Sequence, residues 1–193
     1  MMKAILFIFL ISIITIDCMG QETAIEFDKF LSKFPNCSTP IDTKNYFSSM
    51  GIYANNPNNI REKELYVFLE SSQEKFWKYK LYSDSIHNYF NYVIGCRLNI
   101  SDSIVGLLYF RTFFSETLSE EKSELVLCVC NIAGKMISNL PIAGSYGDDV
   151  NFSSNIHSFD NIEVNFIEYQ NDKKKEYTKF YSITKEGRII NND

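Results

Sequence analysis

A chain of 193 residues with Lys+Arg 19 against Asp+Glu 24 carries a formal net charge of -5 and a pI near 5.1. It lacks the cationic surface that tracks phosphate backbones, which argues against nucleic-acid binding. Aromatic residues reach 15%, with 12 Tyr and 16 Phe against 4 Pro and 8 Gly; this is a folded, strand-leaning composition and not a disordered one.

The chain opens with one cation, Lys3, and an apolar run from Ala4 to Ile11 that continues through Ile13, Ile14 and Ile16 and stops at Asp17. About 20 apolar residues are needed to span the hydrocarbon core, so the run is too short for a permanent anchor and fits the apolar region of a signal peptide. Cys18 and Gly20 supply the small side chains that signal peptidase needs before Gln21. Residues 1–20 are therefore expected to be a signal peptide, leaving a secreted, periplasmic or cell-envelope protein with no integral membrane segment after cleavage. The alternative is a lipoprotein anchored through Cys18, although Asp17 and Thr15 occupy places where a lipobox has a small residue and Leu.

About 173 residues then remain, enough to bury one sizeable core. Over residues 22–34, Ile25, Phe27, Phe30, Leu31 and Phe34 gather on one helical face, and Pro35 ends the pattern. Residues 36–59 are rich in Asn, Ser and Pro and read as a loop. Together, residues 21–60 form an expected N-terminal helix and loop, and 61–193 an expected antiparallel β domain. Strand-like runs fall at 65–69, 76–81, 89–98, 104–114, 125–132, 136–143, 162–169 and 177–183. Ile162, Val164 and Phe166 alternate with Glu163 and Asn165, giving one dry and one wet face, and residues 171–175 read as a charged hairpin tip. No helical pattern long enough for a parallel crossover separates the later strands. The expected fold is thus mainly β (α+β): an amphipathic helix followed by an antiparallel β-meander.

Four cysteines follow the expected cleavage site: Cys37, Cys96, Cys128 and Cys130. An exported protein permits disulfides. Cys128 and Cys130 share one face of a strand, which is poor geometry for bridging each other, so any disulfides are expected to pair Cys37 and Cys96 separately with them. The competing reading is that some or all are reduced core residues. His87 and His157 stand at no finger-like spacing from a cysteine pair, and no metal or other cofactor is expected.

Three segments carry a family resemblance: residues 27–34 (FDKFLSKF), 107–111 (LLYFR) and 140–149 (LPIAGSYGDD). On them the chain resembles a group of small exported proteins of unknown function from Bacteroidetes-type bacteria. The resemblance implies a leading helix followed by a β-meander, and implies no activity, substrate or catalytic residue.

No nucleophile motif accompanies either histidine, and the glycines of residues 144–147 are followed by acids in place of a phosphate-binding Lys. That segment reads as a turn. Asp148, Asp149 and Asn151 offer oxygens that could hold Ca²⁺, but without EF-hand spacing an acidic turn is the simpler reading. Trp77, Tyr79 and Tyr82 lie in an aromatic stretch whose rings could stack on sugars or peptides. The leading expectation is a non-enzymatic exported domain, partner unknown, that binds a macromolecule or glycan in the cell envelope. The alternative is a carboxylate-dependent extracellular hydrolase using Asp148, Asp149, Glu163 and Glu168.

Overall fold

A period-two alternation of apolar and polar side chains fits a sheet with one dry face, and residues 162–166 follow it, whereas the apolar run at residues 125–130 fits a strand covered on both faces. In the computed structural model, which describes residues 26–44, 60, 64, 68–69, 88–115, 120–170 and 173–193, this yields an antiparallel meander. β1 (Ile41–Asp42) precedes it. The meander runs through β2 (Asn88–Ser101), β3 (Ile104–Ser115), β4 (Glu120–Asn131), β5 (Met136–Tyr146), β6 (Val150–Ser158), β7 (Asn161–Gln170), β8 (Lys173–Ile183) and β9 (Ile189–Asn191) in sequential order. β1 stands outside that order and pairs with β6.

β4 is buried on both faces, which is why LVLCVC reads as a continuous apolar run. Leu125, Leu127 and Val129 join a cluster with Leu108, Phe110, Ile142, Phe152, Ile156, Ile162 and Val164. Val126, Cys128 and Cys130 point the other way, beneath Phe27, Phe30 and Phe34. The helix, residues 26–31, therefore lays its apolar face on the meander. Phe68 stacks against Phe30 at 5.0 Å and meets Phe27 at 5.1 Å. Burying each of these rings contributes roughly 2–3 kcal/mol. The helix also presses on the β4–β5 turn, where Gly134 has φ 83° and an added Cβ would lie 2.8 Å from the Phe27 ring.

Several expectations are corrected. Of the strand expected at 65–69, Phe68 and Leu69 are helical instead, and their apolar side chains cover the sheet; 65–67 lie outside the described residues. The 36–59 loop contains β1. β6 was not expected at all, because its sequence VNFSSNIHS is dominated by Asn and Ser. Residues 144–146 continue β5, so the turn is confined to 147–149. Lys173, Lys174 and Lys175 belong to β8, opposite Gln170, Tyr169 and Glu168, and are exposed there. The run at 76–81 lies outside the described residues.

The cysteine pairing is a further correction. Cys37 is bonded to Cys96, and Cys128 and Cys130 are not disulfide-bonded. The reason is the chain segment at residues 35–37, which runs along the outer edge of β2: Arg97 N–H donates to Pro35 O and Cys37 N–H to Arg97 O. Cys37 is thereby delivered beside Cys96. The Cys128 and Cys130 sulfurs do share a face, 3.7 Å apart in the core.

Candidate functional site

A groove opens where the meander forks. β5 and β6 pair only through Gly144↔Phe152, Ser145↔Asn151 and Tyr146↔Val150, and beyond them β1 takes over the edge of β6 with Ile41↔Ile156 and Asp42↔Asn155. Thr43 follows β1 and is locked to β6: its hydroxyl donates to Ser154 O at 3.0 Å and accepts from Ser154 N–H at 2.7 Å. Around this fork lies a cavity of about 640 Å³, lined by Thr43 and Lys44, by residues 143–145 of β5, 151–153 of β6, 165–167 of β7 and 176–178 of β8.

The register sorts these residues into rows. Gly144, Phe152, Phe166 and Tyr177 stand directly opposite one another across four strands. Phe152 stacks on Phe166 at 5.4 Å and Phe166 on Tyr177 at 4.9 Å, interplanar angles 17° and 9°. The faces of Phe152 and Phe166 are thus used within the row, and the ammonium groups of Lys175 and Lys179 lie over Tyr177 at 5.0 and 5.7 Å. On the opposite sheet face run two flanking rows, Ser153–Asn165–Thr178 and Asn151–Ile167–Glu176. Of these, Asn151, Glu176 and Thr178 are exposed. Thr178 Oγ1 donates to Asn165 Oδ1 at 2.7 Å, which orients the amide with its NH₂ turned away from Thr178. The chemistry the groove offers to solvent is therefore amide, hydroxyl and carboxylate, with Lys44 as a cation, in place of open aromatic faces.

Beside the row of rings sits a buried polar chain. Arg111 Nε donates to Glu124 Oε2 at 2.5 Å, and the Tyr146 hydroxyl donates to Glu124 Oε1. Arg111 and Glu124 are buried and directly opposed, and the Tyr146 ring meets Phe152 at 5.3 Å. Burial first, and then the Glu124 charge, hold the Tyr146 hydroxyl protonated well above the ordinary tyrosine range. The Tyr177 hydroxyl donates to Glu168 Oε1 at 2.5 Å, and this bond, more than its partial burial, pushes its pKa up to about 12.

The residues singled out in the sequence are distributed differently. Trp77, Tyr79 and Tyr82 lie outside the described residues. Asp148 and Asp149 are exposed on the β5–β6 turn, where the Asp149 carbonyl accepts from Tyr169 N–H at 2.7 Å. Glu163 faces His157 Nε2 at 3.4 Å, whereas Glu168 accepts from Tyr177. Being of opposite parity on β7, Glu163 and Glu168 point to opposite faces of the sheet and do not meet. Among the described residues no group of three or more His, Cys, Asp or Glu is placed to hold a metal ion. Thr43, Lys44 and Thr178 escaped the sequence reading. Asn165 was visible only as a wet-face residue, because a row exists only once strands are in register.

Comparison with protein-family models, with curated proteins and with solved structures found no match.

Proposed function

We propose that this chain is exported and works as a non-enzymatic binding domain in the cell envelope, with the groove at the β5–β6 fork as its site for a hydroxyl-rich ligand, a glycan segment. The observation that carries this reading is the pair of polar rows, Ser153–Asn165–Thr178 and Asn151–Ile167–Glu176, set along a cavity of about 640 Å³. Fixed amide, hydroxyl and carboxylate groups at strand spacing are the donor and acceptor set that sugar hydroxyls pair with. The Cys37–Cys96 disulfide suits an oxidising compartment and supports the export reading. The hydrolase alternative has less support: of its nominal carboxylates Asp148, Asp149, Glu163 and Glu168, the two aspartates are exposed on a turn, Glu168 accepts from Tyr177, and Glu163 lies on the opposite face of β7 from Glu168.

The test is binding of the domain beginning at Gln21 to a glycan panel and to envelope polysaccharide, with Asn165→Ala and Thr178→Ala beside the wild type. Selective binding that each variant weakens by about tenfold is expected, the loss of one to two hydrogen bonds. Binding that both variants leave unchanged, or none across panel and extract, would overturn the reading. Intact-mass analysis of the exported form should give an N-terminus at or near Gln21; a lipidated Cys18 would replace secretion by anchoring.

A further inference from the structure

We infer that the outer edge of β8 is a docking site for an extended acidic peptide, taken up as an added strand. β9 pairs with β8 only at Tyr181, Ser182 and Ile183, and the C-terminal residues add Asn192 N–H to Phe180 O and Phe180 N–H to Asp193 Oδ1. Among the described residues, no strand pairs with residues 173–179 on that side. Seven residues of edge backbone, roughly 23 Å, thus present a row of donors and acceptors on which another strand can form.

The charge on this edge selects the partner. In a chain of net charge -5, four of the seven residues from 173 to 179 are lysines. Lys173, Lys175 and Lys179 share one face with Tyr177. Two acids lie nearby: Glu176 pairs with Lys174 at 2.5 Å, and Glu168, directly opposite Lys175, accepts from Tyr177 but keeps its charge, which the three lysines of that face outnumber. Within a Debye length of about 8 Å the lysine face therefore outweighs the distant negative charge of the chain. The other face of the same edge is different. Phe180 is 44% exposed and Ile190, opposite Ser182, is 45% exposed, and the register places both on that face. A strand laid along the edge would set alternate side chains on the two faces, so the matching sequence carries carboxylates at every second position, toward the lysines. Over residues 173–179 the other face is Lys174, Glu176 and Thr178, with Phe180 just past its end, and asks only for uncharged residues. Lysines on an open edge also discourage self-pairing, and the experiment separates the two roles.

The probe is a synthetic peptide of alternating Glu and Val, titrated into the folded protein at low and high salt. Two controls accompany it: the same peptide N-methylated on alternate residues, which keeps the charge but removes strand donors, and an acidic polysaccharide. Binding of the plain peptide alone is expected. It should weaken with salt and fall about tenfold or more in Lys175→Glu/Lys179→Glu, one position exposed and the other half-buried on the lysine face. The milder Lys175→Gln/Lys179→Gln variant should fall in between, with an unchanged circular dichroism spectrum. Equal binding of the N-methylated peptide or of the polysaccharide would reduce the edge to a general polyanion surface and overturn the inference. It would also be overturned if the plain peptide did not bind; self-association of the charge-neutralised variant would then show the lysines to act only as edge guards.

Discussion

The sulfur of Cys37 is bonded to that of Cys96, 59 residues further along, so the segment between the helix and β1 is fastened to β2. A loop of this size restricts the unfolded chain, and the chain-entropy relation assigns its closure about 4 kcal/mol. Cys96→Ser should therefore lower stability by roughly 2–4 kcal/mol in denaturant melts. Peptide mapping under non-reducing conditions should recover the Cys37–Cys96 bridge with Cys128 and Cys130 as thiols. A bridge from either of the latter to Cys37 or Cys96 would contradict the structure.

Breaking the buried chain at Glu124 should cost more than removing it. Glu124→Gln takes the carboxylate from beside the buried Arg111 guanidinium and from the Tyr146 hydroxyl, and about 3–5 kcal/mol should be lost. The double change Arg111→Met/Glu124→Leu should be less damaging than that single change, since neither charge of this pair is left buried without the other. A double variant less stable than Glu124→Gln would show that the pair contributes more than it costs to desolvate.

The fold should weaken at alkaline pH. Tyr177 has its pKa raised to about 12 by its bond to Glu168, against about 10 when unfolded. As pH rises from about 10 towards 12 the unfolded chain releases this proton while the folded chain keeps it. Tyr177 thus contributes stability that is complete below pH 10 and lost as pH climbs through its folded value; Tyr146 shifts in the same direction. Phenolate absorbance during an alkaline titration should show late-titrating tyrosines, and Tyr177→Phe should remove one of them. Normal titration of every tyrosine would contradict both hydrogen bonds.

Gly144 is the tightest point of the fork. A Cβ there would lie 2.2 Å from Ser123 O and 2.8 Å from Phe152 Cζ, so Gly144→Ala should destabilise by roughly 1–3 kcal/mol through forced backbone and ring movement. Its thermal melt, compared with that of Gly147→Ala, gives the measure of crowding. At Gly147 nothing lies within 4 Å and φ is +58°, so any cost there is conformational strain alone.

The row of rings makes a graded prediction within the β7–β8 hairpin. Phe166→Ala removes a half-buried ring stacked between Phe152 and Tyr177 and should cost about 2–3 kcal/mol. Neutralising Lys173, Lys174 or Lys175 singly should change stability by less than about 0.5 kcal/mol, because all three are exposed. Denaturant melts that ranked a lysine change with Phe166→Ala would put the β7–β8 register in error.

The sequence by itself determined the antiparallel meander, the apolar face of the N-terminal helix and the inward set Ile162 and Val164, because strand and helix periods are local and each residue declares its face relative to its neighbours. Local pattern failed at β6, where Ser154 occupies a core position and Asn and Ser dilute the alternation; pairing with β5, β7 and β1 makes it a strand. Tertiary structure alone decided the Cys37–Cys96 bridge, since strand parity says which side a thiol faces but not which distant segment runs past it. It also decided the groove. Lys44, Ser145, Asn151, Asn165 and Thr178 come from five segments and acquire a common surface only through register across the fork at Gly144, where β5 parts from β6 and β1 enters.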